Sequence, residues 1–443
     1  MKLNSKRTFI IGLAFFSICA FWQMYDNIVP LILKYRYGIS DGISGPIMAL
    51  DNVLALFMLP LFGTLSDRKG ARMPFIVVGT AGAVILTVCL SFAKTFSMFF
   101  TLLALLLVSM SIYRSPAVAL MPDVTPKPLR SKANAIINLM GALGGVYTLA
   151  MTGVLVKGSA VDDPSYLPLF IAVAALMAIS VTALALSVNE KKLKAEADII
   201  NDRIDAETVA KLDLSGNEGR RLSPEMFRSL MLILFSVSFW YMGYNAVTTA
   251  FTRYATEMWG QDVGGASTCL MIATVGAVIS YIPIGMISSK IGRKKTILIG
   301  VALLAGCFAL GALMAATFSP LLYVMFALVG FAWAAINVNS YPMVVEISTS
   351  CDVGKYTGYY YTFSMAAQIA TPIISGQLLQ HVGYNTLFPY AAIMVSISFI
   401  TMSLTRHGDS RPEKKGKLES FDIEDKAKSP EAKLAVESFS TAG

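Results

Sequence analysis

The sequence is poor in charged residues, which make up only 14% of its 443 residues. A soluble domain of ordinary composition carries about a quarter. Hydrophobic residues make up 55% of the chain and gather in runs long enough to cross a bilayer, which takes about 20 residues. These features predict an integral membrane protein embedded in lipid.

Histidine and cysteine are also scarce. The two histidines, His381 and His407, lie at or beyond the ends of apolar runs, which excludes a histidine proton relay or a His-rich metal site inside the membrane. The five cysteines show neither a disulfide framework nor metal-ligand spacing, and no G-x-x-x-x-G-K-[ST] nucleotide loop occurs. We expect no metal and no cofactor, and we predict that the protein is not an enzyme. A membrane-embedded enzyme or a receptor-like scaffold is a remote alternative.

Twelve apolar runs predict twelve transmembrane helices, with lysine and arginine concentrated in every second loop. By the positive-inside rule, this pattern predicts a multi-pass protein of the cell membrane with both termini in the cytoplasm. The same lysines and arginines account for the formal net charge of +8 as residues that set the membrane topology, so we expect no nucleic-acid partner. The predicted parts are an N-terminal six-helix bundle (1–188), a cytoplasmic linker (189–227), a C-terminal six-helix bundle (228–405) and a polar, disordered cytoplasmic tail (406–443).

The two halves repeat each other weakly. Gly63 and Gly70 recur 222 residues later as Gly285 and Gly292, in loops at matching places. Such internal symmetry is typical of transporters built from repeats.

A loop motif links this symmetry to a known family. The chain reads Gly63-x-x-x-Asp67-Arg68-x-Gly70-x-Arg72 after the second run, and it thereby resembles the major facilitator superfamily. The stretches "PLFGTLSDRKGARMPFI" (60–76) and 114–145 are similar to its sugar:cation symporter branch, which includes the glycoside–pentoside–hexuronide symporters and the sucrose transporters. The resemblance implies an all-α fold of two pseudo-symmetric six-helix bundles around a cavity that opens to either side in turn.

One departure from that branch bears on the coupling ion. Its sodium-coupled melibiose carriers place two aspartates one turn apart where this chain has Ala55 and Leu59. The difference favours a proton over sodium.

Three charged residues are expected inside the membrane: Asp26, Asp51 and Arg114. A charge there costs from about 3 to about 10 kcal/mol or more, so it normally faces a cavity or a partner. The two aspartates are expected at similar depth, roughly 10–12 Å below the outer surface, where two carboxylates could share a site. We predict Asp26 or Asp51 as the proton-coupling residue; a purely structural, hydrogen-bonded carboxylate is the alternative. Arg114 is predicted either to bind substrate or to extend toward the cytoplasmic face.

Polar and aromatic residues recur at helical spacing in several runs. Amides and carboxylates bond sugar hydroxyls, and aromatic rings cover the C–H face of a sugar. Helix–helix contacts and interfacial anchoring are the alternative roles. The predicted cavity residues are Gln23, Tyr25, Asn27, Asn52, Arg114, Asn138, Trp240, Tyr241, Asn245, Asn337, Tyr341, Tyr361 and Gln368.

The resemblance also implies a cytoplasmic gate of charged loop residues. Exposed ion pairs contribute about 0–1 kcal/mol each, so they can bias a two-state equilibrium without locking it. Topology determination by lysine and arginine is the alternative. The predicted gate residues are Gly63, Asp67, Arg68, Gly70, Arg72, Asp123, Arg130, Glu346 and Lys355.

Together these observations predict a monomeric secondary active transporter that moves a small polar solute, a sugar or glycoside, by proton-coupled symport. Because exporters share the loop motif, a polyspecific drug:proton exporter of apolar compounds is the alternative.

Overall fold

In the computed structural model, residues 3–212, 224–314, 317–347 and 353–407 are described. Within these ranges the chain forms thirteen α-helices and no β-strand. Most of the predicted tail, 408–443, lies outside the described residues. The helices are α1 (Ser5–Leu31), α2 (Asp41–Lys69), α3 (Met73–Leu90), α4 (Phe96–Asp123), α5 (Arg130–Leu155), α6 (Leu167–Ser187), α7 (Glu190–Leu212), α8 (Pro224–Trp259), α9 (Val263–Ile291), α10 (Arg293–Leu313), α11 (Leu321–Glu346), α12 (Val353–His381) and α13 (Leu387–Ser403).

Eleven of the described helices are long and apolar enough to cross a membrane, and only α7 and α12 are not among them. The 29 residues of α12 exceed the length that a bilayer requires, but tyrosine, threonine, serine and glutamine dilute its apolar character. It packs against α2 and against α8. The predicted all-α membrane fold is confirmed. The helix α12 joins the eleven apolar helices as a twelfth, more polar helix of the two bundles.

Packing repeats between the halves. The pairs α1–α6, α2–α4, α3–α4 and α3–α6 recur as α8–α13, α9–α11, α10–α11 and α10–α13. Each half encloses its own apolar core, and the halves meet chiefly along α2–α12, α5–α9 and α1–α8.

Close backbone contact marks the α2–α12 seam. A Cβ on Gly45 would clash with the carbonyl oxygen of Pro372, and one on Gly376 would lie 2.6 Å from that of Asp41. Small residues let membrane helices approach in this way. The glycines therefore set how tightly the two halves close at this end, which the predicted topology places outside and which we call the outer face.

Candidate functional site

A cavity of about 240 Å³ lies between the two halves. Asp26 (α1), Asp51 (α2) and Arg114 (α4) contribute from the N-terminal half, and Asn245 (α8) and Gln368 (α12) from the C-terminal half. All three charges that the sequence places in the membrane therefore converge on one cavity. The other lining residues are Trp22, Met48, Asn52, Thr248, Thr249 and Pro372.

The two carboxylates differ in their local partners. Asp51 accepts a hydrogen bond from the side-chain amide of Asn52 at 2.8 Å. The Asp26 carboxylate has no side-chain hydrogen-bond partner among the described residues, although it lies within electrostatic range of Asp51 and Arg114. Asp26 is thus the carboxylate of the pair without a side-chain donor among the described residues.

Arg114 lies beside an aromatic ring. Its guanidinium carbon is 5.5 Å from the centroid of the Trp22 ring, within the range of a cation–π contact. Within the described part of the chain, no ion pair of 4.0 Å or less joins Arg114 to either carboxylate. The sequence leaves open whether Arg114 binds substrate or extends toward the cytoplasmic face, whereas the folded chain brings it to the same cavity as the two aspartates.

Two prolines leave main-chain carbonyls of cavity residues without their helical donors. Pro30 and Pro372 lie four residues after Asp26 and Gln368, inside α1 and α12. Proline has no N–H, so neither helix can form the usual bond to the carbonyl four residues earlier. Both cavity residues therefore present a main-chain carbonyl that lacks its helical donor.

Several predicted cavity residues lie elsewhere. Tyr25 is buried and donates to the carbonyl of Met48 at 3.3 Å, and Trp240 is fully buried in the C-terminal core. Asn27 accepts a hydrogen bond from Thr252 at 3.0 Å and so links the halves. A turn of about 100° per residue separates neighbours on a helix, which is why residues adjacent to cavity positions point into the core.

The remaining predicted cavity positions are also outside this wall. The Tyr341 hydroxyl is 3.0 Å from that of Thr357, and the Tyr241 ring contacts the Trp333 ring edge-on at 5.4 Å. Conversely, Thr249 lines the cavity and is absent from the predicted set, although it follows Asn245 by about one helical turn. Thr248, which the sequence places at helical spacing from Tyr241 and Asn245, lines the cavity as well. The other predicted residues outside the described wall are Gln23, Asn138, Asn337 and Tyr361.

A buried ionic network closes the outer face. The guanidinium of Arg253 donates to the Asp41 carboxylate at 2.6 Å, and only 7% of either side chain is exposed. Lys34 reaches the same carboxylate at 3.3 Å, and the Tyr384 hydroxyl donates to it at 2.6 Å. Asp41 of the N-terminal half is therefore held by residues from both halves.

A second carboxylate extends this network. Glu257 of α8 pairs with Lys34 at 2.7 Å and accepts from the Tyr35 hydroxyl at 2.6 Å. These charges lie at the ends of apolar runs, where charged residues are ordinary, so no local sequence signal identifies them.

A different cluster surrounds Arg72 at the opposite end. Its guanidinium donates to Asp123 at 2.9 Å and to the carbonyl of Gly63 at 3.2 Å, and it also contacts Ser66 and Asp67. Burial alone would lower the pKa of Arg72, but the Asp123 and Asp67 carboxylates outweigh it and raise that pKa above its usual range. Every one of these partners belongs to the N-terminal half.

The other predicted gate residues occupy varied positions. Gly70 ends α2 with φ +65°, a conformation that favours glycine. Arg68 and Lys355 are exposed, and the Arg130 side chain donates to the Thr125 carbonyl at 3.2 Å. The side chain of Glu346 lies outside the described residues.

Among the described residues, eleven apolar helices and the more polar α12, with a charged cavity between the two halves, define a membrane transporter. A family model described as Major Facilitator Superfamily matches residues 11–259 and 233–440. The chain belongs to the major facilitator superfamily.

Individual relatives are distant. The chain is 22% identical over 405 residues to the multidrug resistance protein MdtG of Yersinia enterocolitica, which covers 89% of this chain and 92% of that protein. It is also 22% identical over 396 residues to the uncharacterized MFS-type transporter MJ1317 of Methanocaldococcus jannaschii, covering 89% and 93%. These relatives support the superfamily without singling out its sugar:cation symporter branch.

Solved structures share the fold. A POT family transporter in complex with 5-aminolevulinic acid superposes with a TM-score of 0.70 at 12% identity, covering 90% of this chain and 96% of that chain. A variant of the nucleoside transporter NupG gives 0.67 at 15% identity, covering 90% and 100%.

Proposed function

We propose that the protein is a proton-coupled secondary active transporter of a small, uncharged polar solute, with a sugar or glycoside as the substrate class. The observation that carries this proposal is the convergence of Asp26, Asp51 and Arg114 on one cavity between the halves. Charged groups in a membrane span are costly, and they mark ion and proton pathways.

The charge balance of the cavity favours an uncharged solute. With both carboxylates ionised, Asp26, Asp51 and Arg114 sum to one net negative charge. One bound proton neutralises the set, so the loaded cavity carries no net charge while the halves move. A neutral solute preserves that balance, whereas an anion or a cation would upset it. Asp26 is the proposed proton acceptor because its carboxylate lacks a side-chain hydrogen-bond partner among the described residues.

The remaining wall suits hydroxyl groups. Asn245 and Gln368 offer amides from the C-terminal half, and Asn52 offers one from the N-terminal half. Thr248 and Thr249 add two hydroxyls on α8. Polar groups on both halves would let one solute bridge them, as alternating access around a central site requires.

Export of drugs is the second candidate. It is favoured by the relationship to a protein named multidrug resistance protein MdtG. A cavity with one net negative charge would also accept a lipophilic cation, exchanged for a proton at Asp26. The two candidates differ in whether solute and proton move together or in opposite directions.

Proteoliposomes with an imposed pH gradient separate them. Purified protein is first screened for thermal stabilisation by sugars, glycosides and cationic drugs, and each hit is tested for transport. Symport predicts that a sugar accumulates on the side toward which protons flow. Accumulation of a cationic drug on the opposite side supports export. If neither class moves under either gradient, the proposal is wrong.

The predicted topology, with cytoplasmic termini and the linker and tail on that side, and the monomeric state belong to the same proposal. Protease accessibility in oriented vesicles tests the topology.

A further inference from the structure

The linker helix α7 is anchored to a loop of the gate region. The carboxylate of Glu190, its first residue, accepts hydrogen bonds from two main-chain N–H groups at the start of α3, those of Arg72 and Met73, the latter at 2.8 Å. Glu190 is only 8% exposed. A carboxylate at this position satisfies donors that the first turn of a helix leaves without partners, and it interacts favourably with the helix dipole.

A second anchor lies three turns further along α7. The side-chain oxygen of Asn201 accepts from the main-chain N–H of Lys127 at 2.9 Å, and Asn201 is 8% exposed. Leu193 and Ala197 lie between the anchors on the same helical face; Leu193 packs against the N-terminal core and Ala197 is 1% exposed. Over Glu190–Asn201, the segment predicted as a cytoplasmic linker (189–227) is thus a helix docked on the N-terminal half.

The two anchored loops flank the same ionic cluster. Glu190 holds the loop that carries Arg72, and Asn201 holds the loop that follows Asp123. Arg72 joins these loops directly through its bond to Asp123. Two main-chain amides fixed by Glu190 orient the Arg72 backbone from which that side chain extends.

We propose that α7 is a splint across the two loops and that Glu190 is the positioning residue of the Arg72 cluster. By holding the loops at fixed spacing, the splint makes the end of the N-terminal half move as one unit when the halves rearrange. Its effect falls on the rate of conformational change, because neither anchor touches the cavity.

The C-terminal half supports this reading by contrast. Lys294 occupies the place of Arg72 in the repeat, 222 residues later. Its ammonium group donates to the carbonyls of Ser403 and Thr405, at 3.1 and 2.6 Å, at the end of α13. In the C-terminal half, the lysine of the loop itself joins that loop to a neighbouring helix. In the N-terminal half, side chains of the linker helix α7 hold the loops.

Hydrogen exchange of the purified full chain tests the splint without a known substrate. Glu190→Gln removes the charge, and Asn201→Ala removes the second anchor. Glutamine keeps one acceptor oxygen, so we expect main-chain exchange to rise about tenfold at Arg72 or at Met73 in E190Q, as the loss of one hydrogen bond implies. At Lys127 we expect a rise by a similar factor in N201A. The matched controls E196Q and D202N alter exposed residues of the same helix and should leave exchange at both loops unchanged.

Transport kinetics test the effect of Glu190 on transport, and this part of the proposal rests on the proposed function. E190Q should lower the maximal rate severalfold while the half-saturating solute concentration stays constant. Unchanged exchange at Arg72 and Met73 in E190Q overturns the splint, whatever the transport result. Raised exchange with a rate equal to that of E196Q overturns the positioning role alone. Equal thermal stability of E190Q and E196Q excludes general unfolding as the cause.

Discussion

The two ends of the molecule use buried charge in opposite ways. At the outer face a carboxylate, Asp41, lies among donors from both halves: Arg253 and Tyr384 from one, Lys34 from the other. At the opposite end a guanidinium, Arg72, lies among acceptors from a single half. The outer network must break for the halves to separate there, whereas the Arg72 cluster can stay intact through the same movement. The first is suited to act as a latch and the second as a brace.

The largest expected effect comes from breaking the latch. Asp41→Asn leaves the buried Arg253 without its carboxylate, and breaking a buried pair typically costs about 3–5 kcal/mol. We expect a large drop in thermal stability and a shift toward separation at the outer face, measured by spin-label distances between the outer ends of α2 and α12.

The control for this change is Asp163→Asn, which removes the Arg36 pair inside the N-terminal half at 2.8 Å. It should leave the interhalf distance unchanged. If D163N and D41N shift that distance equally, Asp41 is no latch.

A steric change at the α2–α12 seam, beside the Asp41 network, should have a smaller effect on stability than Asp41→Asn. Gly376→Ala places a Cβ 2.6 Å from the Asp41 carbonyl, and overpacking of this kind costs about 1–3 kcal/mol. The expected result is a wider α2–α12 distance with lower thermal stability. Gly358→Ala on the same helix meets nothing within 4 Å and should have neither effect.

The brace should respond differently. Arg72→Lys keeps the charge but cannot hold Asp123, Asp67 and the Gly63 carbonyl in one fork. We expect a loss of about 1–2 kcal/mol in stability, on the scale of the charge-assisted bonds removed, with no change in the outer interhalf distance. Arg68→Lys, at an exposed position of the same motif, is the control; an outer-face shift in R72K would contradict the division of roles.

The smallest expected effect comes from Tyr384, the uncharged donor of the Asp41 network. Tyr384→Phe removes two hydrogen bonds, the one that the hydroxyl donates to Asp41 and the one that it accepts from Lys34 at 2.7 Å, while both cations keep their carboxylates. We expect a net loss of about 1 kcal/mol. Thermal unfolding should fall by a fraction of the D41N shift. A loss as large as that of D41N would mean that Tyr384, and not the ion pair, holds the face closed.

The sequence predicts the membrane fold, the division into halves and the three cavity charges. All three predictions rest on the pattern of apolar runs and on the polar residues that interrupt it. Asp26 and Asp51 stand out because a charge within an apolar run has a high free-energy cost in the membrane. Such a charge normally faces a cavity or a partner, so it indicates a cavity. Asp41, Arg253 and Glu257 escape detection because charges near span ends have little cost.

Side-chain direction is the other part that the sequence leaves open. Tyr25 and Asp26 are neighbours, yet one packs into the core and the other faces the cavity, since a single step rotates the side chain by about 100°. The docking of α7 is also hidden, because its anchors are single polar residues on a helix of mixed character.

The most direct test of the account compares uphill uptake with equilibrium exchange in proteoliposomes for Asp26→Asn, Asp51→Asn and the exposed control Asp162→Asn. Proton coupling at this pair predicts that at least one of the two cavity variants exchanges solute across the membrane yet no longer accumulates it under a pH gradient, while D162N does both. If both cavity variants still accumulate solute against its gradient, the coupling site is not this carboxylate pair.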